Sequence, residues 1–145
     1  MPTEAEWEWA ARGPEGREYP WGDQWETWRC NSAKSGIGRT ISAVGCFPGG
    51  AANWWLVIQP DSEVVHDLAG NVWEWIASEY SKDYSKAAQS VLNTNFPESS
   101  PCVLRGGSWH DRPGGLRGAA CLWFTPHGRA YNWGFRLART FHFTL

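Results

Sequence analysis

Twelve tryptophans in 145 residues constrain this chain more than any other feature. Each indole buries a large apolar area but carries an N–H that needs a partner. So many of them demand a core of aromatic layers, yet the chain offers few long periodic segments to build one. From Pro14 to Gly50 it is rich in Gly, Pro and Asn and shows no period. A structureless stretch of that length is unusual in a compact domain, so something must hold it. The candidates are aromatic anchors (Tyr19, Trp21, Trp25, Trp28) or a metal ion. With 16 Gly and 9 Pro, the expectation is a loop-rich fold with many tight turns.

Local signals place a few elements. Thr3-Glu4-Ala5-Glu6 reads as a capping box, opening a helix whose Trp7, Ala10 and Ala11 form one buried stripe and whose Gly13 suits a left-handed terminus. Residues 53–59 read as a buried strand or hairpin. In Asp67 to Trp75 the Gly-Asn pair marks a turn before a strand with alternating faces. Residues 80–101 read as a surface excursion, 103–109 as a short strand broken by glycines, and 134–139 as a last strand alternating apolar and basic. No internal repeat or boundary appears, so residues 1–145 read as one α+β domain with short, mostly antiparallel strands.

Charge narrows the function classes. The net charge of −2 excludes an obvious nucleic-acid binder. The charge is split, however: residues 1–100 hold 7 Lys/Arg against 14 Asp/Glu, and residues 101–145 hold 6 Arg against Asp111 alone. These arginines either face an acidic ligand or act as internal struts for the acidic first part. The struts are the more economical reading. No apolar run approaches the roughly 20 residues of a membrane helix, and no signal peptide is legible. A cytoplasmic location, or export by a route not encoded in this chain, follows. Cys30, Cys46, Cys102 and Cys121 have no metal-ligand spacing and read as buried thiols, with one disulfide left open. His66, His110, His127 and His142 are scattered and read as surface or hydrogen-bonded residues.

Five motifs then occur in order: Pro2-Thr3-Glu4-Ala5-Glu6-Trp7-Glu8, Tyr19-Pro20-Trp21-Gly22, Ala69-Gly70-Asn71-Val72-Trp73-Glu74-Trp75, Leu104-Arg105-Gly106-Gly107-Ser108-Trp109 and Gly134-Phe135-Arg136. Together they resemble the signature series of the formylglycine-generating-enzyme, or sulfatase-modifying-factor, family across nearly the whole chain. The resemblance implies a C-type-lectin-like fold, and a family segment before the first motif that Met1 replaces here. It also implies a structural calcium held by the Asp67 side chain, the Gly70 and Val72 carbonyls and the Glu74 carboxylate, a set of hard oxygens suited to that ion. A second family site would fall on Asn31, Ser32, Ser35 and Ile37, where Ser35 stands in for the expected carboxylate and leaves no negative charge.

The family's oxidases hold copper with two cysteines shortly after the Arg-Gly-Gly-Ser motif. Here those positions carry Asp111 and Leu116, so no copper and no oxidase chemistry are expected. The segment between the last two motifs instead carries contact-type residues: His110, Asp111, Arg112, Cys121, Leu122, Trp123, Phe124, His127, Tyr131 and Trp133. Aromatics and Arg dominate binding hot spots, although Trp123 and Trp133 could equally fill the core. This segment is also similar to the diversified loop in variable proteins of diversity-generating retroelements, where adenine-directed mutagenesis rewrites the same place. The expected function is therefore a non-catalytic module presenting residues 110–133 to a protein or other macromolecule. The alternatives are an enzyme acting on peptides or thiols, and a fixed scaffold or homo-oligomer joined through residues 53–59.

Overall fold

The computed structural model describes residues 1–37, 39–54, 63–83 and 99–139. Helix α1 spans Glu4–Arg12. Thr3 Oγ1 accepts from the Glu6 N–H while the Glu6 carboxylate accepts from the Thr3 N–H, completing the capping box. Gly13 closes the helix at φ 63° and donates to the Trp9 carbonyl. Trp7 and Ala11 are fully buried, as the stripe predicts.

Four short strands form one sheet in the order β3-β2-β1-β4: β1 (Trp73–Glu79), β2 (Cys102–Arg105), β3 (Cys121–Phe124) and β4 (Trp133–Phe135). β1–β2 and β2–β3 are antiparallel, and β1–β4 is parallel. Two differences from the sequence expectation stand out. β3 is a strand where surface loop was expected. β4 covers only Trp133–Phe135 rather than 134–139, because Arg136 turns inward to an ion pair. The expected element at 53–59 falls largely outside the described residues, although Trp54 is buried and donates its indole N–H to the Ala10 carbonyl at 3.1 Å.

Side chains alternate across the sheet. One face meets α1: Ile76 and Val103 pack with Trp7, Ala11, Ala52, Trp54 and Leu68. A second cluster of Tyr19, Cys30, Ala69 and Leu116, flanked by Trp21 and Trp25, secures the irregular segment. Trp28 does not act as an anchor, being 71% exposed. The remaining hold is polar and comes from the Gly-Asn turn. Asn71, at φ 65°, accepts from the Ser42 N–H at 2.9 Å and donates to the Ser42 carbonyl at 3.2 Å, imitating a strand pairing. Asp67 Oδ2 accepts from the Gly45 N–H at 2.8 Å. Gly70 is obligatory here. A Cβ on it would lie 2.2 Å from the Asn31 carbonyl oxygen, and its φ is 82°.

Candidate functional site

Of the six C-terminal arginines, Arg105, Arg117 and Arg136 pair with carboxylates of the acidic first part. Arg105, fully buried in the sheet face beneath α1, binds Glu8, lies 3.9 Å from Glu4 and sits over the Trp7 ring at 5.3 Å. Burial raises the Glu4 carboxyl above its ordinary range, against the lowering effect of Arg105. Arg136 clasps Glu74 through two bonds of 2.6 Å and donates also to the His66 and Asp67 carbonyls. Glu74 additionally accepts the Trp7 indole N–H at 2.8 Å. These pairs cross-link the first and last parts of the chain behind the sheet.

Asp67, Gly70 and Val72 belong to the same turn, and Glu74 follows on β1. Two carboxylates and two main-chain carbonyls within eight residues meet calcium's preference for hard oxygen donors. Glu74 is shared with Arg136 there, and among the described residues no three His, Cys, Asp or Glu side chains gather. Any coordination would therefore lean on main-chain oxygens and water. At the second family set, the Ser35 hydroxyl bonds the Ser32 main chain, and the buried Asn31 Oδ1 has no hydrogen-bond partner.

The ten residues expected to form one contact surface separate into four settings. Leu122 and Phe124 project from the outer face of edge strand β3, where Phe124 meets Trp133 at 4.8 Å and Trp133 meets Trp75 edge-on at 5.4 Å. Trp133 is thus the half-buried support and Phe124 the exposed tip. Cys121 and Trp123 point the other way. Trp123 stacks on Tyr80 at 5.1 Å, yet remains 52% exposed. The Cys121 thiol leans toward Arg105, and burial raises its pKa while that guanidinium lowers it. His127 is exposed on the turn after β3.

The fourth setting surrounds buried Trp109, against which His110 stands edge-on and Tyr131 tilts at 5.7 Å. Tyr131 is 76% exposed, and His110 and Arg112 are exposed too. Asp111 is tied into the chain. Its Oδ2 accepts from the Ser108 N–H (2.9 Å), the Ser108 hydroxyl (2.6 Å) and the Trp73 indole (2.9 Å), and Asn132 reaches Ser108 Oγ at 3.0 Å. A carboxylate gathering three donors is a strut. Sequence reasoning missed this because Trp73 lies 38 residues away. Leu116, at the other copper-cysteine position, is fully buried beside Gly107. All four cysteines are free; Cys30 and Cys102 are buried as expected, but Cys46 and Cys121 are exposed, and burial pushes the Cys30 thiol up to about 12.

A capped helix laid over one small mixed sheet, with most of the chain in pinned loops, defines the class: the C-type-lectin-like α+β fold of formylglycine-generating proteins. Residues 1–141 match the sulfatase-modifying factor enzyme 1-like domain, and the chain belongs to that family. The formylglycine-generating enzyme of Streptomyces coelicolor is 36% identical over 95% of this chain and 46% of that protein. The inactive C-alpha-formylglycine-generating enzyme 2 of Bos taurus is 34% identical, over 95% and 43%. Among solved structures, Treponema denticola variable protein 1 superposes with a TM-score of 0.65 at 26% identity, covering 93% of this chain and 45% of that one. PvdO from Pseudomonas aeruginosa gives 0.67 at 26%, covering 93% and 50%. The chain thus spans half or less of the length of each of these proteins.

Proposed function

We propose that this chain is a non-catalytic binding module that presents residues 110–133 to a protein partner, in the manner of a diversified variable protein. One observation carries the reading. The large apolar side chains of β3 and of Tyr131 lie on the surface, with Leu122 39%, Trp123 52%, Phe124 49% and Tyr131 76% exposed, while Asp111 and Leu116 earlier in the segment are held by Ser108, Trp73 and the core. Exposed aromatics on a rigid support are what a contact surface needs. The likeness to Treponema denticola variable protein 1 supports the same reading. Formylglycine-generating oxidase activity is the lesser reading, since Asp111 is committed to Ser108 and Trp73 and Leu116 to the core.

Deep sequencing of the 3′ end of the gene across a natural population tests the proposal. Substitutions concentrated in the codons for residues 110–133, and sparing those for Asp111 and Leu116, are expected. A uniform 3′ end would leave a fixed domain and remove the diversified reading.

Calcium belongs to the proposal as scaffold. The Gly70 and Val72 carbonyls and water would supply most of its ligands, with the Asp67 carboxylate and the Glu74 carboxylate that Arg136 shares completing the set, and its charge would tie the Gly-Asn turn to β1. Adding calcium to chelator-treated protein should then raise the melting temperature, as any ligand of the native state does. Identical melting with calcium and with chelator would remove the ion from the account.

A further inference from the structure

Most arginines among the described residues are paired with a carboxylate: Arg12 with Glu8, Arg17 with Glu15, Arg29 with Glu26, Arg105 with Glu8, Arg117 with Glu18 and Arg136 with Glu74. Of the arginines outside this pattern, Arg39 and Arg112 come together. Both are exposed, and neither has an ion pair among the described residues. They line one cleft of about 440 Å³, together with Ser32, Gly36, Trp109 and His110. No acidic side chain lines it. Asp111, the nearest carboxylate in sequence, is occupied by Ser108 and Trp73. The two walls come from distant parts of the chain and are tied by the Ala33 N–H donating to the Asp111 carbonyl at 3.1 Å. Trp109, 8% exposed and braced by His110 and Tyr131, gives a stiff floor.

Two unpaired guanidiniums over a rigid, acid-free cleft match a planar anion, which a guanidinium fork binds in a bidentate way. We propose that this cleft accepts a carboxylate of the protein partner, clasped between Arg39 and Arg112 with His110 alongside. A cleft of this volume suits one or two side chains. With two arginines rather than a cationic stripe, it does not suit a nucleic-acid backbone. Arg112 lies inside the 110–133 segment and Arg39 outside it, so half of the clamp belongs to the fixed scaffold. The proposal rests on the display reading and names the partner chemistry that it leaves open.

The test is a ¹H–¹⁵N NMR titration with acetyl-Glu-Glu-amide, with the free-acid dipeptide acetyl-Glu-Glu in a parallel arm. Saturable shifts confined to the Trp109 indole, His110, Ala33 and Gly36 signals are expected, and they should weaken as salt rises. Equal binding of both dipeptides assigns the cleft to internal acidic side chains, and binding of the free acid alone assigns it to a chain terminus; either supports a carboxylate clamp. Arg39→Gln and Arg112→Gln should each weaken binding about tenfold. Trp28→Ala, an exposed change outside both the cleft and the 110–133 segment, should leave the titration unchanged. Equal shifts from acetyl-Gln-Gln-amide, or undiminished binding in Arg39→Gln/Arg112→Gln of unchanged melting temperature, would overturn the proposal. Because the titration reads the cleft alone, its failure leaves the population-sequencing test of the display reading untouched, and the reverse also holds.

Discussion

The two faces of the four-stranded sheet use similar residue types to opposite ends. On the face beneath α1, Trp7, Glu74, Arg105 and Arg136 are tied to one another, so every polar atom brought out of water has a partner close by, Arg105 Nε excepted. On the outer face, Trp75, Trp133 and Phe124 climb from half-buried support to exposed tip, and Leu122 stands beside them with no polar tie. Aromatic content therefore says little about role. What separates scaffold from surface is whether an aromatic's neighbours are hydrogen-bonded into the chain. Under the proposed display function, that difference would let the 110–133 segment vary without unfolding the domain that carries it.

The sharpest way to break the comparison is to attack the bonded face. Glu74→Ala leaves the Trp7 indole without its acceptor and the half-buried Arg136 guanidinium without its counter-charge, with only the His66 and Asp67 carbonyls remaining, and should cost about 3–5 kcal/mol, read by urea denaturation. A cost below that of an ordinary surface substitution would show that the ion pair is not structural. Next in size is Asp111→Ala, which strands the Trp73 and Ser108 donors and should cost about 1–3 kcal/mol. Near neutrality at this position would return Asp111 to the contact surface. By contrast, Leu122→Ala and Tyr131→Ala should each shift stability by only about 0.5 kcal/mol. A loss as large as that of Asp111→Ala in thermal melts would make the outer face core.

The smallest effect is chemical. Alkylation of the native protein should label exposed Cys46 first and Cys121 more slowly, because the Cys121 thiol is held up by burial near Arg105. Cys30, raised to about 12, should stay unlabelled until the protein unfolds. Mass spectrometry of a time course gives the order, and early labelling of Cys30 would contradict the packing of the cluster around Tyr19.

Where the determinants are local, the sequence was a sufficient guide. The Thr3–Glu6 capping box, the Gly-Asn turn and the alternation of β1 each depend on residues a few positions apart, and each stands as read. β3 was invisible because Cys-Leu-Trp-Phe is a continuous apolar run without alternation, and only its register against β2 makes it a strand. The end of β4 was misplaced because the alternation of 134–139 looks like a strand, while the fate of Arg136 is decided 62 residues away at Glu74. The ten expected contact residues divide for the same reason: composition marks 110–133 as surface, while Asp111 is tied to Trp73 and Trp133 leans on Trp75, both outside the segment.

A site-saturation library over residues 105–136, sorted for folded protein, tests the division between scaffold and surface most directly. Positions 112, 122, 124, 127 and 131 should accept most residue types, whereas Arg105, Asp111, Leu116, Trp133 and Arg136 should accept few. Gly128 should resist change as well, since a Cβ there would lie 2.9 Å from the Trp133 ring. Intolerance spread evenly along the segment, or free replacement of Asp111 and Leu116, would contradict the account.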